Sequence, residues 1–311
     1  MRLLVTGGAG FIGSNLVDEL VRLGHKVIVV DNLSGSNAKL ENINPKARFY
    51  KKDIRDLKSI QPLFRRVDFV FHLAARARIQ PSIINPKETL DNNVNGTLNV
   101  LLASRDAGVR KVIYSASSSA YGDQKALPLD EDMLPNPKNP YALSKLIGEE
   151  LCRIFYHLYR LPTVSLRYFN VYGPRQPGDG AYATVIGIFL RQKANKEPLT
   201  IVGKGIQKRD FTHVFDVVRA NILAMKSKKV GKGEVINIGT GKNYSVNEVA
   251  EMILSERLDG KVKLVNFQSL VSYLPPRPAE AQVTLANNKK AKTFLGWQPM
   301  ISFEKGIANL K

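Results

Sequence analysis

Cysteine is almost missing from this 311-residue chain. Cys152 stands alone, so no intrachain disulfide can form, and nothing points to an oxidising compartment. Its helical surroundings suit a small buried thiol. Histidine is nearly as scarce: His25, His72, His157 and His213 have no spacing that would gather them on one helix, which argues against a metal centre. No apolar run reaches the roughly 18 residues of a membrane span. Met1 leads within one residue into strand-like sequence rather than a signal peptide, so a cytoplasmic location with no membrane partner is expected. Repeats and low-complexity linkers are absent as well. Acidic residues are in short supply, 27 against 46 basic ones, for a formal net charge of +19. Such a surplus favours encounter with anionic ligands such as diphosphates. The densest basic stretches, Lys226-Ser227-Lys228-Lys229 and Lys289-Lys290-Ala291-Lys292, are short. No aromatic residues interleave with them, so nucleic acid is not expected as a partner.

What the chain does contain is alternation. Short apolar runs (Leu3-Leu4-Val5, Val27-Ile28-Val29-Val30, Phe69-Val70-Phe71, Val112-Ile113-Tyr114) are separated by helical patterns such as Phe11 to Leu23. Strands and helices in that rhythm imply right-handed crossovers and a parallel sheet covered on both faces. The expected fold class is α/β: a doubly wound parallel sheet of the Rossmann kind with a smaller C-terminal domain. From Gly173 the texture turns Gly- and Pro-rich, which suggests domains at 1–172 and 173–311. Val235-Ile236-Asn237-Ile238-Gly239 reads as a buried strand that could return to the first domain.

Gly7-Gly8-Ala9-Gly10-Phe11-Ile12-Gly13 follows the first strand and opens an amphipathic helix, the context a dinucleotide fingerprint requires. Glycines let the backbone approach a pyrophosphate, whose charge the helix N-terminus favours. Asp31 ends the second strand 21 residues after Gly10, placed to accept from ribose hydroxyls. An acid there repels a 2′-phosphate, and the adjacent Asn32-Leu33-Ser34-Gly35-Ser36 carries no arginine, so NAD is favoured over NADP. Asp53-Ile54 is placed to hold the adenine edge, although a lone Asp after a strand is as often a helix cap.

Asn139-Pro140-Tyr141-Ala142-Leu143-Ser144-Lys145 reads as a helix start, with Asn139 as cap and Pro140 in the first turn. Tyr141 and Lys145 share one face. An ammonium beside a phenol favours phenolate and lowers a pKa that is ordinarily about 10, which makes Tyr141 a plausible general base. Ser115-Ala116-Ser117-Ser118-Ser119 follows the strand Val112-Ile113-Tyr114, so its hydroxyls stand at a strand's carboxyl end, where open α/β sheets bind ligands.

These stretches resemble the extended short-chain dehydrogenases/reductases, and within them the UDP-glucose and UDP-N-acetylglucosamine 4-epimerases. The likeness spans nearly the whole chain. It adds His72-Leu73-Ala74-Ala75, Asp91-Asn92-Asn93-Val94-Asn95-Gly96-Thr97, Arg167-Tyr168-Phe169-Asn170 and Arg209-Asp210-Phe211. The resemblance implies that Tyr141 takes the proton of a sugar 4-hydroxyl, Ser117 holds the 4-oxygen, and Lys145 holds the nicotinamide ribose and depresses the tyrosine pKa. Leu73, Ala74, Ala75, Asn92, Ser115, Tyr168 and Phe169 match cofactor-lining positions. Asn170, Arg209 and Arg277 match UDP-contacting positions, with Ser118 beside the sugar. Surface charge is the alternative reading of Arg277, because the family's following Gly-Asp is here Ala279-Glu280. A homodimer through helices near 91–107 and 141–159 is implied by the same likeness.

Thr284 aligns with a position that is small where an N-acetyl group is admitted, and the stretch from Gly173 through Gly180-Ala181-Tyr182-Ala183 looks like the same branch. Arg78 departs from the pattern. It replaces a small polar residue and would suit an anionic sugar, so a UDP-glucuronate 4-epimerase or another nucleotide-sugar oxidoreductase is the alternative. Ser118 and Ser119 stand where the family's dehydratases and decarboxylases carry acids, which leaves elimination without its acid–base pair. A non-catalytic NAD or sugar-nucleotide sensor on the same fold is the alternative of a different class.

Overall fold

The computed structural model describes residues 1–35, 37–180, 183–258, 261–263 and 267–310. Ser36 of the ribose-binding segment, and Ala181 and Tyr182 of the stretch likened to the N-acetyl-accepting branch, lie outside the described residues.

Six strands come from the first 168 residues: β1 (Arg2–Thr6), β2 (Lys26–Asp31), β3 (Arg48–Lys51), β4 (Phe69–His72), β5 (Lys111–Ser117) and β6 (Thr163–Tyr168). With Lys232–Ile238 they form one sheet in the order Lys232–Ile238, β6, β5, β4, β1, β2, β3. Every pairing is parallel. The chain runs outward from β1 through β2 and β3, then resumes on the other side of β1 with β4. That reversal opens a crevice at the strands' carboxyl ends.

Alternate residues of β1 serve different cores, as a pleated strand requires. Leu3 and Val5 join Leu16, Val17 and Leu20 of helix α1 (Phe11–Arg22) and Val217, Ala220 and Met225 of the helix Val214–Lys226. Leu4 packs on the opposite face with Val70, Val112, Val100, Leu101 and Phe155. Both faces being dry explains the continuous apolar runs of the sequence. Cys152 is fully buried there, and burial pushes its thiol up to about 12.

A smaller layer forms around Phe189, Leu199, Ile201, Phe211, Val249 and Phe303. Residues beyond 172 serve both layers, since the helix Val214–Lys226 covers the main sheet and Lys232–Ile238 pairs with β6 from Ser165↔Val235 to Tyr168↔Ile238. Among the described residues, no helix is long and apolar enough to cross a membrane, and no cluster of His, Cys, Asp and Glu could hold a metal.

Candidate active site

A cavity of about 740 Å³ occupies the crevice between the layers. Its three fingerprint glycines do different work. Gly7 has φ +70°, and a Cβ there would meet the Ala74 nitrogen at 2.6 Å. On Gly13 a Cβ would fall 2.1 Å from the Gly7 carbonyl oxygen. At Gly10 it would touch only that oxygen, at 3.4 Å, so Gly10 keeps its open side toward the cleft. Gly10 is the N-cap of α1 and supplies no side-chain cap, so the first N–H groups, at Phe11, Ile12 and Gly13, lie at the cleft wall. That is a cradle for a pyrophosphate.

Asp31 at the end of β2 accepts from the Ala9 N–H at 3.0 Å and the Leu33 N–H at 2.8 Å, which fastens the glycine turn to the second strand. Its burial pushes the carboxyl up, and those two donors oppose the shift. Asn32 and Ile54 line the cavity beside it, as do Leu73, Ala74, Ala75 and Asn92. Asp53 does not. Its carboxylate is taken by Arg55 at 2.7 Å and by the Asn32 amide at 2.9 Å, and the guanidinium holds it well below the usual carboxylate range. The adenine-edge reading of Asp53 is therefore corrected. It is not the cap of the following helix either, because Asp56 accepts from the Ser59 N–H. Phe169 also fails to reach the cleft: fully buried, it packs with Tyr121, Leu129 and Ala286, while Tyr168, on the other side of the chain, lines the cavity and shares a 3.0 Å hydrogen bond with Ser115.

Asn139 caps the helix Pro140–Tyr159 by accepting from the Ala142 N–H at 2.9 Å. Tyr141 and Lys145 line the cleft from that helix, and Ser115, Ser117 and Ser118 face them from β5 and the turn after it. Ser117 accepts from both the N–H and the hydroxyl of Ser119, at 3.2 and 2.9 Å. Its own hydroxyl proton is thereby left for the Tyr141 oxygen, and that hydrogen bond favours phenolate. Lys145 is tied to β5. Its Nζ donates to the Ser115 carbonyl at 2.8 Å, and burial lowers its pKa to about 8. Burial dominates at Tyr141 and raises the phenol, opposed by Ser117 and by the positive charge of Arg78. Arg78 is one positive charge that acts on the phenol.

The wall toward the smaller layer holds the remaining candidates. Asn170, at φ +20°, donates to the Asp210 carbonyl at 3.0 Å and to the Thr284 hydroxyl at 3.3 Å. Thr284 also accepts the Asp210 N–H at 3.2 Å. Arg209 is braced by the Gln282 carbonyl at 3.0 Å and by Glu280 at 3.6 Å. Arg277 lies exposed at the cleft's edge.

Two contributors escaped the sequence reading. Asn93 sits in a π-helical turn, Asp91–Asn95, that interrupts the helical run. Its amide accepts the Arg76 N–H at 2.7 Å and donates to the Arg76 carbonyl at 3.0 Å and to Ser144 at 2.9 Å. Glu280 joins Arg209 where the aligned Asp was missing. The motif containing Asn93 was visible, but a π-turn shifts which residue faces which wall, and nothing in the spacing announces it.

A switch-point crevice, a glycine cradle with an acid on the second strand, and a buried Tyr–Lys helix beside a strand-end serine together define a site of the short-chain dehydrogenase/reductase kind. The model of the GDP-mannose 4,6 dehydratase family matches residues 4–310. The chain belongs to the extended short-chain dehydrogenase/reductase family and, within it, to the UDP-sugar 4-epimerase type. It is 41% identical over 98% of its length, and 95% of the relative's, to a putative UDP-glucose 4-epimerase of Methanocaldococcus jannaschii. The crystal structure of the UDP-glucose 4-epimerase of Thermotoga maritima with UDP-glucose superposes with a TM-score of 0.91 at 40% identity, covering 99% and 96% of the two chains. The UDP-glucuronic acid 4-epimerase of Bacillus cereus, in complex with UDP-glucuronic acid and NAD, gives 0.86 at 34% identity and covers 99% and 97%.

Proposed function

We propose that the chain is a NAD-dependent epimerase that inverts the C4 carbon of a UDP-sugar, interconverting UDP-glucose with UDP-galactose and their N-acetyl counterparts through a 4-keto sugar. The observation that carries this reading is the single cleft in which the glycine cradle and Asp31 are continuous with Tyr141, Ser117 and Lys145. The cradle fits a dinucleotide, because Gly7, Gly10 and Gly13 all line the cavity and at Gly10 a Cβ would meet little protein. NAD, when bound, supplies reversible two-electron oxidation of the C4 carbinol.

The rest falls to this chain. The α1 N–H groups take the pyrophosphate, and Asp31 takes the adenosine ribose hydroxyls. Tyr141 removes the 4-hydroxyl proton and returns it after the sugar has turned over, with the Ser117 hydroxyl turning from the phenol to the 4-oxygen once the sugar is bound. Lys145, steadied by the Ser115 carbonyl, orients the nicotinamide ribose. Asn170, Arg209 and Arg277 hold the UDP moiety, where guanidinium groups suit a diphosphate. Thr284 is small and has its hydroxyl tied into the wall, which favours room for N-acetyl. With Ser118 and Ser119 beside the phenol, no carboxylic acid stands ready to eliminate a neighbouring group. Arg78 keeps UDP-glucuronate open as a second substrate. The proposal includes a homodimer whose face carries the exposed Leu143, Ile154 and Leu158 of the helix Pro140–Tyr159.

Proton NMR of UDP-galactose and, separately, UDP-GalNAc incubated with the protein and NAD tests the reading. Formation of both C4 epimers is expected, with turnover lost by orders of magnitude in Tyr141→Phe while NAD binding and folding persist. A parent that binds NAD but turns over neither sugar, with Tyr141→Phe indistinguishable from it, would instead identify a sensor.

A further inference from the structure

A proline-rich stretch crosses the wall of the cleft toward the smaller layer. It leaves the strand Val271–Leu274 at Leu274, whose carbonyl accepts from the Gly203 N–H at 2.8 Å. It is caught again at Gln282, whose N–H donates to Asp123 at 3.1 Å and whose carbonyl accepts from the Lys208 N–H and from Arg209, each at 3.0 Å. Between those points Pro275, Pro276 and Pro278 have no N–H to give. Two side-chain carboxamides hold the middle of the stretch. The Pro278 carbonyl accepts from Gln80 and the Ala279 carbonyl from Asn139, both at 3.2 Å. Ala279 itself has φ +60°, a conformation that a residue with a Cβ keeps only where its surroundings hold it there. Arg277, Ala279 and Glu280 line the cavity, and Glu280 lies 3.6 Å from Arg209.

We propose that residues 275–282 form a strap over the UDP subsite, and that Asn139 is a positioning residue that latches this strap to the Tyr141 helix by holding Ala279 in its left-handed conformation. The proposal rests on the epimerase reading, in which Arg209 and Arg277 take the diphosphate. One side chain serves two elements because a carboxamide has two ends. The Asn139 Oδ1 accepts the Ala142 N–H at 2.9 Å as cap of the helix Pro140–Tyr159, and this turns its Nδ2 outward to the strap. Serine caps a helix as well as asparagine does, so the cap alone does not require an amide. Gln80 completes the arrangement from the short helix Ile79–Ile84, whose Ser82 hydroxyl accepts the Tyr141 backbone N–H at 3.2 Å. Both carboxamides thus sit on pieces fastened at the start of the Tyr141 helix, and the strap is fixed to that helix across the cleft from the layer it leaves. With the Asn139 bond gone, Ala279 is released to negative φ and the placing of Arg277 and Glu280 is lost. Once a UDP-sugar is bound, its own contacts with Arg277 keep the strap shut, so the latch acts on binding and not on the bound complex.

Calorimetric titration of the NAD-loaded protein with UDP, which needs no turnover, tests the latch. Asn139→Ser keeps a cap and removes the donor to the strap. Its UDP affinity is expected to fall about fivefold, as one lost hydrogen bond implies. KM for UDP-galactose should rise in step while kcat holds, the pattern of binding lost equally from ground and transition states. Stability in urea and NAD affinity should stay at the parent's values. In an Ala279→Gly background the left-handed conformation is freely adopted, so the loss caused by Asn139→Ser should shrink to about twofold. Unchanged UDP affinity in Asn139→Ser, or a loss equally large in the Ala279→Gly background, overturns the proposal. An equal fall in NAD affinity or a less stable chain also overturns it and reduces Asn139 to its cap. A protein that shows the expected pattern with UDP yet inverts neither sugar at C4 would sink the epimerase reading and leave the strap standing.

Discussion

Gly10 and Gly13 lie three residues apart in one turn, yet replacing each with alanine should have opposite signatures. At Gly13 the added methyl would sit 2.1 Å from the Gly7 carbonyl oxygen and 2.9 Å from the Gly8 Cα. Both are backbone atoms, and Gly7 is itself hemmed in by Leu73 and Ala74, so relief requires moving α1 off β1 by about an ångström. Overpacking of this kind costs about 1–3 kcal/mol, and a wholly backbone clash belongs at the upper end. At Gly10 the backbone has φ −79°, which alanine adopts freely, and the single contact is 3.4 Å away. Folding stability there should change by less than about 1 kcal/mol, since the gain from a stiffer unfolded chain is offset by a poorer N-cap. The methyl would instead fill the cradle. Urea unfolding without NAD and calorimetric titration with NAD separate the two: Gly13→Ala is expected to be the unstable variant, and Gly10→Ala a well-folded chain with NAD affinity reduced by tenfold or more. A Gly10→Ala chain that binds NAD normally, or a Gly13→Ala chain as stable as the parent, would refute the division of labour between the glycines.

Two further outcomes concern the buried polar groups. His72 is fully enclosed between Thr6 and Thr97, and burial lowers its pKa to about 3, against about 6.5 in an unfolded chain. Its folded pKa is depressed, so its contribution is present above pH 6.5 and is lost as the pH falls toward 3, because only the unfolded state takes up the proton. His72→Gln should reduce the slope of unfolding free energy against pH in that window by about 1.4 kcal/mol per unit, as read from urea unfolding at several pH values. Glu149 and Arg167 form a buried pair with two hydrogen bonds, at 2.9 and 2.7 Å. Glu149→Gln leaves the guanidinium uncompensated and should cost about 3–5 kcal/mol, whereas Glu149→Leu with Arg167→Met should recover much of that loss in the same unfolding assay.

Much of the site could be read from the chain because its parts are local. The cradle is a single turn, the Asn139 cap and Tyr141 are neighbours, and apolar runs betray buried strands. What could not be read depends on competition or distance. Asp53 turns to Arg55, a guanidinium two residues away, and off the cavity wall. Tyr168 and Phe169 could have been separated in advance, because adjacent residues at a strand end point to opposite faces and only one can meet the cleft. The bond from Lys145 to the Ser115 carbonyl arises only from the packing of helix on sheet, which no spacing announces. Arg78 and Tyr141 line one cleft from 63 positions apart in the chain, and no periodicity links them.

The return of Lys232–Ile238 to the sheet bears on how the chain comes into being. Until that stretch has been synthesised, β6 is an outermost strand with its hydrogen-bonding groups bare, in a sheet otherwise complete. A nascent or truncated chain ending near residue 172 would present that bare edge, and open edges recruit strands from other molecules. The dinucleotide half is therefore a poor unit for gene fusion or domain shuffling. A shorter chain that keeps the nucleotide cradle soluble must run at least through Ile238, carrying much of the smaller layer with it.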